Sequence, residues 1–219
     1  MTLSISASNK EEIQNKCQLS LNQTNAWSKQ NKMIVNKQKT ECMLIGSSQR
    51  MARLRDKSIK LILNETPLNQ IGHHKVLGIT IDETLSWDLQ IKIICKNLTN
   101  KLSLLNKIKR YLPKDCRILY YNAYIQPIMD YCDTIWGNCT QYNIGKIIKL
   151  QKRAARIILD KAYDSPSAPL FKELKWLSWP ERLLFHKAII VYKSLNNLTP
   201  EYISSLFCKN STGYNLRSI

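Results

Sequence analysis

KVLGITIDETLSW, residues 75–87, separates a mixed N-terminal segment from a long, strongly basic helical run. Apolar residues alternate at Leu77, Ile79 and Ile81, with Gly78 and Thr80 between them, which predicts a half-buried strand. Gly78, having no side chain, leaves room for another backbone or a ligand to approach. Asp82, Glu83 and Thr84 then make a polar turn. Ser86 precedes Trp87 as a candidate helix N-cap, with Gln90 near the reciprocal position of a capping box. The stretch reads as a strand-to-helix hinge, with Leu77, Gly78, Asp82 and Trp87 as its structural residues.

Upstream, residues 2–6 alternate Leu3 and Ile5 with polar side chains and read as the end of a strand. A helix capped by Ser8 or Asn9 follows. It has Glu11 and Glu12 in its first turn and Ile13, Cys17, Leu21, Thr24 and Trp27 on one face. Short strands are predicted over 33–35 and 41–45. A polar connection then runs from Gly46 to Lys57, carrying Arg50, Arg53 and Arg55, and reads as the most mobile part. Residues 59–63 and 66–69 read as a hairpin around Asn64-Glu65, and 75–81 add a strand. This is one helix on a small antiparallel sheet.

Downstream, Ile91, Ile94, Cys95, Leu98, Leu102, Leu105 and Ile108 recur at helical spacing until Pro113 stops them. A second helix starts near Lys114, with Ile118, Tyr121, Ile125, Ile128, Cys132 and Ile135 inward. Pro127 predicts a kink in it and Gly137 its end. A third covers residues 143–160, and shorter helices follow near 170–175, over 180–195 and beyond Pro200. The expected architecture is α+β: a mixed piece over 1–86, a helical domain over 87–160 and a helical extension over 161–219.

Charge narrows the partner. The chain carries 33 Lys plus Arg against 16 Asp plus Glu, a formal net charge of +17. That surplus implies a polyanion, nucleic acid ahead of an anionic membrane surface. On the third helix Lys146, Lys149, Lys152, Arg153 and Arg156 fall within an arc of about 120°, with no acid among them. The first long helix adds Lys92, Lys96, Lys101, Lys107, Lys109 and Arg110. Side by side, two such helices would form a groove for a phosphate backbone; the alternative is a solvated basic face. Tyr120, Tyr121, Tyr124, Tyr131, Trp136, Trp176 and Trp179 are expected in the core, with Tyr111 and Tyr142 outside it.

Other chemistries find little support. Seven cysteines lack close pairing and histidine companions, which disfavours a zinc site or disulfide framework. They read as reduced, mostly buried thiols of a nuclear or cytoplasmic protein. No run approaches 18 apolar residues, so no membrane span is expected. The first ten residues lack the features of a signal peptide. Asp82 and Glu83 belong to a turn, and Asp130 and Asp133, three apart on a helix, are expected at the surface. Neither pair resembles a two-metal carboxylate set. His73, His74 and His186 have no nucleophile in a recognisable motif, and no Gly-rich phosphate loop is present.

LGITIDETLSW resembles the LG-x-x-[IV]-D-x-x-L-x-W segment that follows the palm in non-LTR (LINE-type) retrotransposon reverse transcriptases. Other segments are similar to that family in the same order. They are MTLSIS at the start, Trp27, Asn36, KTE at 39–41, YLP at 111–113 and LYYNAYIQPIMDYCDTIWG at 119–137. LQKRAARII at 150–158, Leu170-Phe171, Glu181-Arg182, YKSLNNLTPEYISSLF at 192–207 and NLRS at 215–218 follow. The resemblance implies a partial palm, a thumb and a C-terminal extension of an RNA-directed DNA polymerase, holding template-primer nucleic acid. A non-catalytic RNA- or protein-interaction chain derived from the retroelement, or a relic, is the alternative. In the family the Asp-Asp box and its Mg2+ lie upstream of the strand that MTLSIS matches, so no cofactor is expected in this chain. A protein partner would meet the exposed palm face. The isolated chain is accordingly expected to extend no primer on an RNA template. A magnesium- or manganese-dependent product above background would place an active site within these residues.

Overall fold

The structure is a computed structural model that describes residues 2–54 and 56–208. It is α+β and divides into two compact units, residues 1–90 and 91–219. The NLRS segment and Arg55 lie outside the described residues.

The first unit begins without regular structure over 2–6, so the expected strand there is absent. Helix α1 (Lys10–Gln30) is capped by Asn9, whose side chain accepts from the Glu12 amide at 2.8 Å. Leu21 enters the core with Ile13 and Cys17 packed beside it, whereas Trp27, placed on the same face by its spacing, is exposed. Residues 33–35 are not a strand either. Asn36 caps a short 3-10 turn, Lys37–Lys39, and β1 is confined to Glu41–Cys42.

The basic connection contains α2 (Ser48–Arg53), capped by Ser47. Buried Met51 pins it to the cluster of Leu21, Leu44, Ile59, Leu61 and Leu63. One buried apolar residue is too little periodicity to have predicted this helix. The expected hairpin is present. Strands β2 (Ile62–Leu63) and β3 (Thr66–Pro67) pair antiparallel, with Asn64 and Glu65 both at positive φ, as a tight turn demands. Strand β4 (Asn69–Gln70) pairs with β1, and in parallel. The sheet is therefore a set of two-stranded pairs, one of them parallel.

The hinge stretch corrects the single-strand expectation. It is a hairpin, β5 (His73–Val76) and β6 (Ile79–Asp82), turning at Leu77-Gly78. Leu77 has φ 47° and Gly78 φ 89°, and Leu77 is 86% exposed rather than facing a core. Two consecutive positive φ values explain the glycine: it serves the turn. Ile79 and Thr80 are buried.

Asp82 is the organiser after the hairpin. Its Oδ1 accepts from the Thr84 amide (2.9 Å), the Thr84 hydroxyl (2.7 Å) and the Ser86 amide (3.0 Å). Its Oδ2 accepts from the Ser86 hydroxyl (3.0 Å) and the Trp87 amide (3.1 Å). Trp87, at φ 65° and buried, leads into α3 (Asp88–Ile108). The expected capping box does not form, because Gln90 accepts instead from the Thr80 amide at 2.9 Å.

In the second unit the α3 stripe of Ile91, Ile94, Leu98, Leu102 and Leu105 is buried as its spacing predicts. Helix α4 (Lys114–Tyr120) runs into a π turn, Tyr121–Ile125, then α5 (Gln126–Asp130). Pro127 has no amide hydrogen and crowds the carbonyl four residues back; the chain widens there instead of simply kinking. The wider turn consumes an extra residue, so Met129, not Ile128, follows Ile125 into the core. Cys132 at φ 53° breaks the helix before α6 (Asp133–Trp136). Trp136 is buried in place of Ile135, which is exposed. Helices α7 (Gln141–Ile158), α8 (Ser167–Leu174), α9 (Trp179–Leu195) and α10 (Glu201–Ser204) complete the unit.

The cysteines are less buried than expected. Cys139 is buried and Cys116 and Cys208 are exposed, with the others between, and no disulfide joins them. Tyr124 and Tyr131 are exposed, against the core placement expected of them. No helix among the described residues is long and apolar enough to cross a membrane.

Burial pushes the Asp82 pKa up, but the donors from Ser86 and Thr84 outweigh it and hold the group at about 2. A carboxyl depressed on folding stabilises fully above its unfolded range and loses that contribution as pH falls through the folded value. Asp82→Ala should therefore cost about 2 kcal/mol at pH 7. In urea titrations followed by circular dichroism, the gap between variant and parent should close as the pH is lowered toward 2. A gap that is constant with pH would mean that the ionised carboxylate is not what the turn uses.

Candidate nucleic-acid interface

Helix α7 is positioned from its buried side. Ile147, Ala154, Ala155, Ile157 and Ile158 pack inward, and buried Gln151 uses both ends of its amide. It donates to the Leu177 carbonyl at 3.0 Å and accepts from the Trp179 amide at 2.8 Å. Thr140 caps the first turn. Arg117 donates to the Ile158 carbonyl at 3.0 Å, fixing the last turn to α4.

With that side held, the opposite one is set. Lys149 is exposed, and Lys146, Lys152, Arg153 and Arg156 are half-exposed. None of the five is ion-paired among the described residues, and three acids of the same unit serve other cations. Asp160 takes Lys109 at 2.6 Å, Glu173 takes Lys114 at 2.6 Å, and Asp130 takes Arg182. Arg156 is the most restrained of the arc, its Nε donating to the Ser165 carbonyl at 2.9 Å. Lys146 donates to Asn143 at 3.0 Å and lies over the Tyr142 ring.

Two contacts relate α3 to α7. Burial raises the Cys95 thiol pKa, and the Lys146 ammonium opposes that shift, so these groups are close. Lys109, just past α3, pairs with Asp160, just past α7. The Lys109–Asp160 pair lies fourteen residues beyond Cys95 and Lys146 along the two helices, about 21 Å in each case, so the two run in the same direction. At 100° per residue, Lys92, Lys96 and Lys107 lie about 60–120° from Cys95, on the side away from the buried stripe. All three are exposed. Lys101 is on the other flank, over the Tyr124 ring at 5.5 Å. Lys109 is neutralised by Asp160, and Arg110 lies over Tyr111 at 4.7 Å. The Lys92–Lys96 flank of α3 therefore lies on the Cys95 side of that helix, the side on which Lys146 acts.

The hinge residues Leu77, Gly78, Asp82 and Trp87 belong to the first unit and shape its hairpin and turn, as described above. Asp130 and Asp133 are a further correction. They are not a surface pair on one helix, because Cys132 interrupts it and Asp133 is buried. Arg182 grips Asp130 through two bonds, Nε–Oδ1 at 2.6 Å and Nη2–Oδ2 at 2.7 Å. His186 Nδ1 meets Asp133 Oδ2 at 2.6 Å. Burial raises the Asp133 pKa, against the hydrogen bond from His186. Asp130, Asp133 and His186 converge within 4.8 Å, but protein donors already occupy both Asp130 oxygens and one of Asp133. The donor set fits an ion-paired strut between α5, α6 and α9 better than a divalent-ion site. Periodicity carries no signal for it, since its halves lie more than fifty residues apart.

Comparison with protein-family models, curated proteins and solved structures finds no match for this chain.

Removing one partner of the Asp130–Arg182 fork leaves a half-buried charge alone. Asp130→Ala should cost about 1–3 kcal/mol in urea unfolding. Adding Arg182→Leu to it should recover part of that loss, because no stranded guanidinium remains. Strict additivity of the two substitutions would show that the fork contributes no coupling.

Proposed function

We propose that the chain is a palm-and-thumb portion of a non-LTR-type reverse transcriptase that binds template-primer nucleic acid through the α3–α7 face. The family part of this reading rests on the ordered motifs in the sequence. The binding part is supported by one observation above others: the cations of the α7 arc carry no acidic partner among the described residues, although such acids are present elsewhere in the unit. A stabilising role for these side chains would have paired them. Leaving them unpaired keeps them available to phosphates, and their mutual repulsion is relieved when a polyanion arrives.

The contacts go chiefly to phosphate and sugar, which carry no sequence information, as a surface that follows a growing duplex requires. An RNA–DNA hybrid is the duplex the resemblance implies, its wide minor groove presenting 2′-hydroxyls. Metal-dependent phosphoryl transfer belongs, on this reading, to carboxylates of the catalytic palm. Among the described residues no carboxylate set fits that task.

Salt dependence tests the interface. With roughly three to five phosphates neutralised, log K against log[salt] for hybrid duplex should slope near −3 to −4.5. Replacing Lys149, Lys152 and Arg153 together by Gln removes three unpaired cations while sparing Arg156, which also holds the Ser165 carbonyl. The slope should flatten by about two to three units. Helix content should hold, since Gln is a good helix former. An unchanged slope in a folded triple variant would move the binding surface elsewhere and return the arc to solvent.

A further inference from the structure

Tyr142 stands inside the cationic arc. At 100° per residue it falls between Lys146 and Lys149, in the first turn of α7, and it is 76% exposed. Little of it is covered. The Lys146 ammonium lies over one face of its ring, 4.1 Å from the centroid. Past the other end of α7 the arrangement recurs. Tyr163 is 86% exposed, and the Arg156 guanidinium lies 5.9 Å from its ring centroid. Beside the end of α3, Tyr111 is 71% exposed, with Arg110 at 4.7 Å. A cation on one face of an exposed ring leaves the other face for a second π-system.

Phosphate tracking along a duplex has no need of such rings, because paired bases are already stacked on one another. We infer that the α7 face holds an unpaired nucleic-acid strand, with bases stacked on Tyr142 and Tyr163 and the intervening phosphates on Lys149, Lys152 and Arg153. The distance agrees. From Tyr142 to Arg156 is about 21 Å of helix, which at a stacked spacing of about 3.4 Å corresponds to roughly six nucleotides. The cations hold the backbone, the rings hold the bases at either end, and no base-edge donor or acceptor is required, so the binding is indifferent to sequence. This rests on the α3–α7 face being the nucleic-acid surface, and it assigns that face an unpaired strand as a ligand beside the hybrid duplex.

The experiment compares an unstructured single-stranded RNA of about 12 nucleotides with a blunt RNA–DNA hybrid of similar length, by fluorescence anisotropy across a salt series. The proteins are the full chain, Tyr142→Ala with Tyr163→Ala, and Tyr142→Phe with Tyr163→Phe. Both rings are exposed, so circular dichroism should be unchanged in either variant. The Ala pair should bind single-stranded RNA at least about 10-fold more weakly, with the salt slope kept and hybrid binding altered less than about twofold. The Phe pair should stay near the parent, since stacking needs the ring and not the hydroxyl. An Ala pair that binds the single strand like the parent, or that weakens both ligands equally, overturns the stacking role. A salt-dependent parent would then leave the phosphate-binding face standing. A parent that binds neither ligand overturns both.

Discussion

The second unit depends on the burial of Trp179. Its ring lies 5.3 Å from that of Trp136 and almost parallel to it, and both are fully buried. Such a pair is held as much by what the indole nitrogens find as by area. Trp136 donates to the Tyr131 carbonyl at 2.8 Å and Trp179 to the Met129 carbonyl at 3.3 Å, so each satisfies a carbonyl near the broken helix beside it. The Trp179 amide goes to Gln151. One residue therefore ties α5, α6, α7 and the start of α9 together. The packing leaves no slack at Gly137, where a Cβ would strike both the Asp133 carbonyl and the Leu183 side chain. Truncating either tryptophan would remove contacts on the order of 3–5 kcal/mol.

That arrangement decides which way α7 faces. Gln151 sits in the middle of the helix's apolar side, where a polar residue is costly unless both its donor and its acceptor are used, and here they are. Once Gln151 is fixed, the rotation of α7 about its axis is fixed, and the cations follow on the far side. Four acids of this unit brace junctions: Asp130 and Asp133 against α9, Asp160 against the end of α3, Glu173 against the start of α4.

Periodicity was legible where one face does one job. The α3 stripe and the two sides of α7 could be read directly, because a long helix with a single buried side repeats its pattern many times. The α4–α6 region was misread from Met129 onward. Ile128 and Ile135 fit an unbroken helix, but a π turn and a left-handed Cys132 shift the inward side, and neither leaves a periodic mark. KVLGITI misled for a related reason. Alternation continues through a two-residue turn as it does along a strand, and only the Leu-Gly pair distinguishes the two. Helix α2 rests on Met51 alone. Tyr142 and Tyr111 were separable from the core because neither lies on an apolar stripe. Tyr163 was not, since a loop residue has no face to read.

The unpaired α7 cations also act on the protein when nothing is bound. Five like charges along one helix repel one another, and dissolved ions screen that repulsion. Added salt should thus tighten the free chain while loosening the polyanion complex proposed above, so folding and that binding would respond to ionic strength with opposite signs. On that proposal, at low ionic strength the ligand itself would be the counterion, and the energy of association would be partly energy of folding. Dilute buffer, chosen to favour binding, is then the condition in which the unliganded chain is least robust.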